Sequence, residues 1–157
     1  MRKMSGLSDT TFGLVQIIER LHRHYLDVLR TELRRLGIEE INAVQALLLA
    51  NIGTEEVVIR DLKDRGYYHG SNVSYNIKKL TELGYIGQER CSHDRRAIRV
   101  GLTDKGMDLC ERMRELQKHL SAEMDALGLP DAKLTDAMRD LETVERCWTD
   151  FIRYGRR

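Results

Sequence analysis

The sequence predicts a mainly helical fold carrying one small β-hairpin, and three observations lead there. Long stretches at both ends repeat apolar residues every three or four positions. The middle breaks into short helical segments punctuated by glycine. Two short β-prone runs, at 85–90 and 97–102, flank the charged stretch Cys91-Ser92-His93-Asp94-Arg95-Arg96.

The first helix is expected over 8–36. Ser8 or Asp9 can cap it, and Leu14, Ile17, Ile18, Leu21, Tyr25, Val28, Leu29, Leu33 and Leu36 mark one face before Gly37 ends it. A second helix, about 41–51, is nearly apolar through its middle and therefore buried, with Gly53 closing it. A third is expected over 57–65, after the acidic pair Glu55-Glu56, which suits the positive end of a helix dipole. Gly66-Tyr67-Tyr68-His69-Gly70 reads as a turn. A fourth helix follows from Ser71 to about Leu83, ended by Gly84. After the hairpin, Thr103 can cap a helix bearing Leu109, Met113, Leu116, Leu120 and Leu127. Gly128–Pro130 breaks it, and a last helix from about Asp131 bears Leu134, Met138, Leu141, Val144, Trp148, Phe151 and Ile152.

At 157 residues the chain suits one domain able to bury a core without disulfides. Cys91, Cys110 and Cys147 are an odd set with no CxxC pair, so neither a disulfide framework nor a zinc ribbon is implied. Incidental reduced thiols are one reading, and a redox switch at Cys91, beside basic residues, is the other. No apolar run approaches the length of a membrane span, and the start has no signal-peptide character, so a cytoplasmic protein without a membrane partner is expected. No phosphate loop, HExxH, GxSxG or paired inward carboxylates occur, so no enzyme, cofactor or metal site is expected. His22 and His24 fall on different helix faces and make a poor chelating pair.

Net charge is only +1, but it is unevenly spread. From Val57 to Lys105 there are ten basic and six acidic residues, a surplus of +4, and the remainder of the chain carries −3. Only the centre suits a polyanion.

Three short helices followed by a hairpin is the winged helix-turn-helix plan, in which the second helix of the turn enters the major groove and the wing reaches the flanking DNA. On the 71–83 helix, Val73, Ile77 and Leu80 would face the core. The candidate DNA-contacting residues are Ser71, Asn72, Ser74, Tyr75, Asn76, Lys78 and Lys79. Asn72 or Asn76 could bond bidentately to adenine, and the two lysines suit phosphate contacts. In the wing, His93, Arg95 and Arg96 are candidate contacts and Asp94 is a brace for one arginine. Arg96 is preferred for a narrow minor groove, and Arg95 as a brace or phosphate contact. A solvated helix face and a plain charged turn are the alternatives.

The run from Leu80 to Gly106 resembles the wing segment of MarR-type regulators. The shared features are Leu83-Gly84, Tyr85-Ile86, Asp94-Arg95-Arg96, the strand Ile98–Val100, and Leu102-Thr103-Asp104-Lys105-Gly106. The tyrosine-bearing turn departs from the commoner pattern and resembles an alphaproteobacterial subgroup linked to L,D-transpeptidase control. The resemblance implies one MarR-like domain over 1–157, with a DNA-binding lobe at 38–102 and dimerisation helices at 8–36 and 103–154. It implies a homodimer on a pseudo-palindromic duplex operator, regulating transcription as a ligand-responsive repressor or dual regulator. It also implies a small aromatic or phenolic effector, for which His22, Tyr25, Asn42, Gln45 and Arg114 are candidate residues. A protein-contact module or nonspecific architectural DNA binder is the alternative class.

Overall fold

The computed structural model describes residues 6–64, 70–90, 92–93 and 97–156. Of the turn expected over Gly66–Gly70, residues 66–69 lie outside the described residues and Gly70 instead opens a helix; Cys91 and Asp94–Arg96 also lie outside. Two compact units divide between Arg112 and Met113.

The first unit begins with α1 (Gly6–Arg35), which packs on α2 (Ala43–Ile52). Leu29 and Leu33 of α1 and Ala43, Ala46, Leu48, Leu49 and Ile52 of α2 are buried, so α2 has apolar contacts round most of its circumference. Its start is set by a reciprocal capping box. Asn42 Oδ1 accepts from Gln45 N–H at 2.9 Å, while Gln45 Oε1 accepts from Asn42 N–H at 2.9 Å.

The third expected helix is shorter than the sequence pattern suggests. Val57–Val58 form a strand, β1, and α3 covers only Ile59–Asp64. Two adjacent β-branched residues favour extended backbone, and here they pair antiparallel with β3 (Ile98–Leu102), Val57 opposite Val100 and Val58 opposite Arg99. Glu55 and Glu56 therefore lead into a strand and serve no helix dipole. Glu56 lies 3.8 Å from Arg99 on the neighbouring strand. Strand β2 (Ile86–Arg90) pairs with the other side of β3, from Ile86↔Leu102 to Arg90↔Ile98, giving the sheet order β1-β3-β2.

Helix α4 (Gly70–Glu82) lies between α3 and the hairpin. Val73, Ile77 and Leu80 are its buried stripe, at 0%, 2% and 0% exposure. The helix closes with the paired bonds of a Schellman motif, Tyr85 N–H to Leu80 O and Gly84 N–H to Thr81 O. The left-handed conformation this needs falls on Gly84, at φ +81°.

The hairpin joins α5 (Asp104–Ala126) through a dense junction. Thr103 Oγ1 donates to Gly84 O at 2.6 Å and accepts from Gly106 N–H at 3.2 Å, so one hydroxyl caps α5 and ties it to the end of α4. Thr103 N–H donates to Tyr85 O. Tyr85 is itself buried, and its hydroxyl donates to Glu40 Oε1 at 2.6 Å, reaching back to the loop between α1 and α2. Lys105 lies over the Tyr85 ring, 4.3 Å from its centre, and donates to Leu83 O at 3.0 Å.

The Tyr85 hydrogen bond, with help from Lys105, holds the Glu40 carboxyl below the usual carboxylate range. Burial, followed by the Glu40 bond, pushes the Tyr85 phenol up. A lowered folded-state carboxyl contributes stability that is present above its unfolded value and lost as pH falls through the folded one. The raised phenol contributes stability that is fully present below its unfolded value of about 10 and is lost as pH rises through the higher folded value. Tyr85→Phe should therefore lower the denaturation midpoint by a constant amount between about pH 5 and 9. The gap between variant and wild type should narrow as pH falls through the lowered Glu40 value. Urea melts across pH check this, and a gap that persists in acid would mean the Glu40 bond is not its source.

The second unit comprises the rest of α5 from Met113 and α6 (Asp131–Tyr154). Gly128, at φ +85°, terminates α5, and Pro130 stands at the N-cap of α6. No residue of α6 is buried, although its apolar residues recur along one stripe.

Candidate nucleic-acid interface

Helix α4 carries its polar residues on the face opposite Val73, Ile77 and Leu80. Asn72, Ser74, Tyr75 and Lys78 are exposed, Tyr75 at 67%, and Lys79 is half-buried. Ser71 lies in the helix, and its side chain is outside the described set. Among the described residues no carboxylate lies within ion-pairing reach of Lys78 or Lys79, which leaves both cations available to phosphate. Short polar groups beside a phenol and two lysines can approach base edges and backbone together.

Asn76 is the exception, and the structure corrects its expected role as a DNA contact. It is 8% exposed, and its Oδ1 accepts from Gln45 Nε2 at 3.2 Å. The spacing Val73, Asn76, Ile77, Leu80 is i, i+3, i+4, i+7, so helical periodicity itself places Asn76 on the inward face. Side-chain polarity alone suggests the outward one.

His93 is exposed at the described edge of the wing loop. Asp94, Arg95 and Arg96 lie outside the described residues. Arg90 and Arg99 are also exposed on the hairpin, and Arg99 is paired with Glu56.

Of the five expected effector residues, Asn42 and Gln45 are engaged in the α2 capping box, with Gln45 buried. His22 is exposed and Tyr25 half-buried on α1, and Arg114 is exposed on the second unit. Only Asn42 lines the groove of about 410 Å³ between the end of α1 and the start of α2, whose other walls include Arg30, Leu33, Arg34, Ile38 and Ile41. Arg30 is paired with Asp27. The arginines of this groove give no sequence signal, because the groove needs a turn between the helices to bring them beside Ile38 and Ile41.

A winged helix DNA-binding domain model matches residues 41–106, the segment from the start of α2 to the junction glycine. The chain is 36% identical over 146 residues to the exopolysaccharide II synthesis transcriptional activator ExpG of Rhizobium meliloti (strain 1021), covering 93% of this chain and 75% of that one. In fold it is similar to a MarR transcriptional regulator from Methanosarcina mazei Go1, with a TM-score of 0.72 and 22% identity over 88% of this chain and 97% of that one. It is also similar to Streptococcus pneumoniae FabT, solved in complex with DNA, with a TM-score of 0.65 and 20% identity over 88% and 99% of the two chains. No described helix is long and apolar enough to cross a membrane. With α4 presenting a polar, cationic face beside a three-stranded wing, the chain is a DNA-binding transcriptional regulator of the winged helix-turn-helix type, it belongs to the same family as the activator ExpG, and its fold is that of the MarR regulators.

Proposed function

We propose that the protein acts as a homodimer on a pseudo-palindromic operator, with one α4 in each of two successive major grooves. The observation carrying this reading is the division of α4 between a fully buried apolar stripe and the exposed set Asn72, Ser74, Tyr75 and Lys78. His93, Arg95 and Arg96 are the residues we assign to contacts with the flanking backbone or minor groove. Selection from random duplex DNA should return an inverted repeat with half-sites about one helical turn apart. Uniform binding of all sequences would favour the architectural reading instead.

Two substitutions separate base reading from phosphate contact. Arg96→Ala should weaken operator binding by about 1–3 kcal/mol while leaving the dimer intact. Lys78→Ala should weaken binding to all sequences alike and lower the salt slope by about one. Fluorescence anisotropy on operator and scrambled DNA at several salt concentrations reads both, and no change in Arg96→Ala would remove the wing from the interface.

The groove beside α2 is the seat we assign to a small aromatic acid or phenol. Among the described residues Arg34 supplies a cation that makes no ion pair, Leu33, Ile38 and Ile41 supply apolar walls, and Glu39 also lines the groove and would favour a neutral phenol over an anion. Salicylate-like compounds at millimolar concentration should raise the melting temperature of the wild type and leave that of Arg34→Ala unchanged. Membership of the L,D-transpeptidase-regulator-like subgroup, with envelope genes as targets, is the finer assignment. The relative's role in exopolysaccharide synthesis supports it, and the genes flanking selected operators test it. The same map decides between repression and dual control, since operators overlapping promoters repress and those upstream activate.

A further inference from the structure

A buried hydrogen bond joins side chains of two different helices, Gln45 Nε2 to Asn76 Oδ1 at 3.2 Å. It links α2 to α4, 31 residues apart in the chain. Around it, α4 is held by Val73, Ile77 and Leu80. Apolar contacts of this kind are strong but have no preferred direction. They fix the depth of the helix better than its rotation about its own axis. A buried amide pair is directional, because its energy depends on the angle between donor and acceptor.

Gln45 is also fixed at its other end. Its Oε1 accepts from Asn42 N–H, and Asn42 Oδ1 accepts from Gln45 N–H. The amide that meets Asn76 is thus oriented by the first turn of α2 before α4 contributes anything. Asn76 sits one residue after Tyr75 and two before Lys78, so a roll of α4 about its axis would swing both of those side chains relative to the DNA.

We propose that Gln45 and Asn76 are positioning residues that set the rotation of the recognition helix, and hence operator discrimination, without touching DNA. The proposal rests on the DNA-binding reading of α4. It assigns Asn76 a role in specificity from the inside of the fold.

The test is a cycle of Gln45→Leu, Asn76→Leu and the double variant, each measured for thermal stability and for affinity to operator and to scrambled duplex. Each single variant leaves one buried amide without its partner and should melt below the wild type. The double variant replaces both amides by apolar groups and should melt above the worse single. Its ratio of operator to scrambled affinity should nevertheless fall by about tenfold, the scale of one misplaced base contact, while its affinity for scrambled DNA stays near wild type. A double variant of recovered stability with the wild-type ratio would overturn the proposal. If the double variant does not fold, Asn76→Ala, which keeps the Gln45 capping bond, is read by the same ratio. A wild type with no preference between operator and scrambled DNA would sink the DNA-reading assignment itself, a result distinct from either of these.

Discussion

Gly106→Val is expected to destabilise the protein by about 3 kcal/mol, at the upper end of what overpacking costs, and to lower its melting temperature by roughly 6–12 °C. A Cβ at Gly106 would stand 2.3 Å from Tyr85 O and 3.3 Å from Leu102 Cβ. The nearest atom is backbone, and it is already fixed, because Tyr85 O accepts from Thr103 N–H and the Tyr85 ring is buried. Relief would require the first turn of α5 to move away from the end of α4, stretching the 2.6 Å Thr103–Gly84 bond and the 3.0 Å Lys105–Leu83 bond. Alanine at the same position gains helix propensity of about 1 kcal/mol over glycine, so Gly106→Ala should cost less than Gly106→Val and still destabilise. Gly84→Ala is the control. Its Cβ would meet open space, but the φ of +81° imposes a conformational cost of about 1–2 kcal/mol. Urea denaturation of the three variants should rank Gly106→Val as the least stable. A Gly106→Val protein as stable as wild type would show that the junction yields freely.

The same junction shows what the sequence reveals and what it withholds. Leu102-Thr103-x-x-Gly106 is visible as a pattern, and the cap at Thr103 follows from local chemistry, since a threonine before a helix bonds the third N–H ahead. The reason for glycine at 106 is not local. It depends on a carbonyl 21 positions earlier, whose place is set by the Schellman turn at Gly84 and by the β2–β3 register. The buried stripe of α4 is readable because Val73, Ile77 and Leu80 repeat at helical spacing. Asn76 shares that spacing, and its side-chain polarity obscures it until Gln45 is found opposite. Val57-Val58 misleads for a different reason. Two residues are too few to show a period, and what makes them a strand is the edge of β3, which only the folded hairpin provides. The groove between α1 and α2 is likewise invisible in the sequence, because its walls come from a helix end and the turn that follows it.

Charging the apolar stripe of α6 is expected to have the largest effect on function. Leu141, Trp148 and Phe151 lie along one side of a 24-residue helix at 42%, 42% and 58% exposure, and Met138 and Ile152 extend the stripe at 61% and 82%. A helix amphipathic over this length normally buries its apolar stripe, and a contiguous exposed patch of such residues marks an interaction surface. On α1, Phe12, Ile17 and Leu21 are also exposed, at 63%, 46% and 60%. A second copy of the chain, offering the same stripes by two-fold symmetry, is the occupant that the proposed homodimer would supply. Trp148→Asp combined with Phe151→Asp would bring two carboxylates into that interface and should convert the protein to monomer in sedimentation at micromolar concentration. The DNA-binding lobe should stay folded, because α6 contributes no buried residue to any core. Far-UV circular dichroism and an unchanged urea midpoint for the first unit check that. Two half-sites bound by one dimer gain effective concentration worth about 10²–10⁴ in affinity, so the monomer should lose at least a hundredfold on the full operator. On an isolated half-site it should lose little. Full operator affinity in a proven monomer would mean that one α4 and its wing suffice for recognition, and a wild type that sediments as a monomer would remove the dimer from the mechanism.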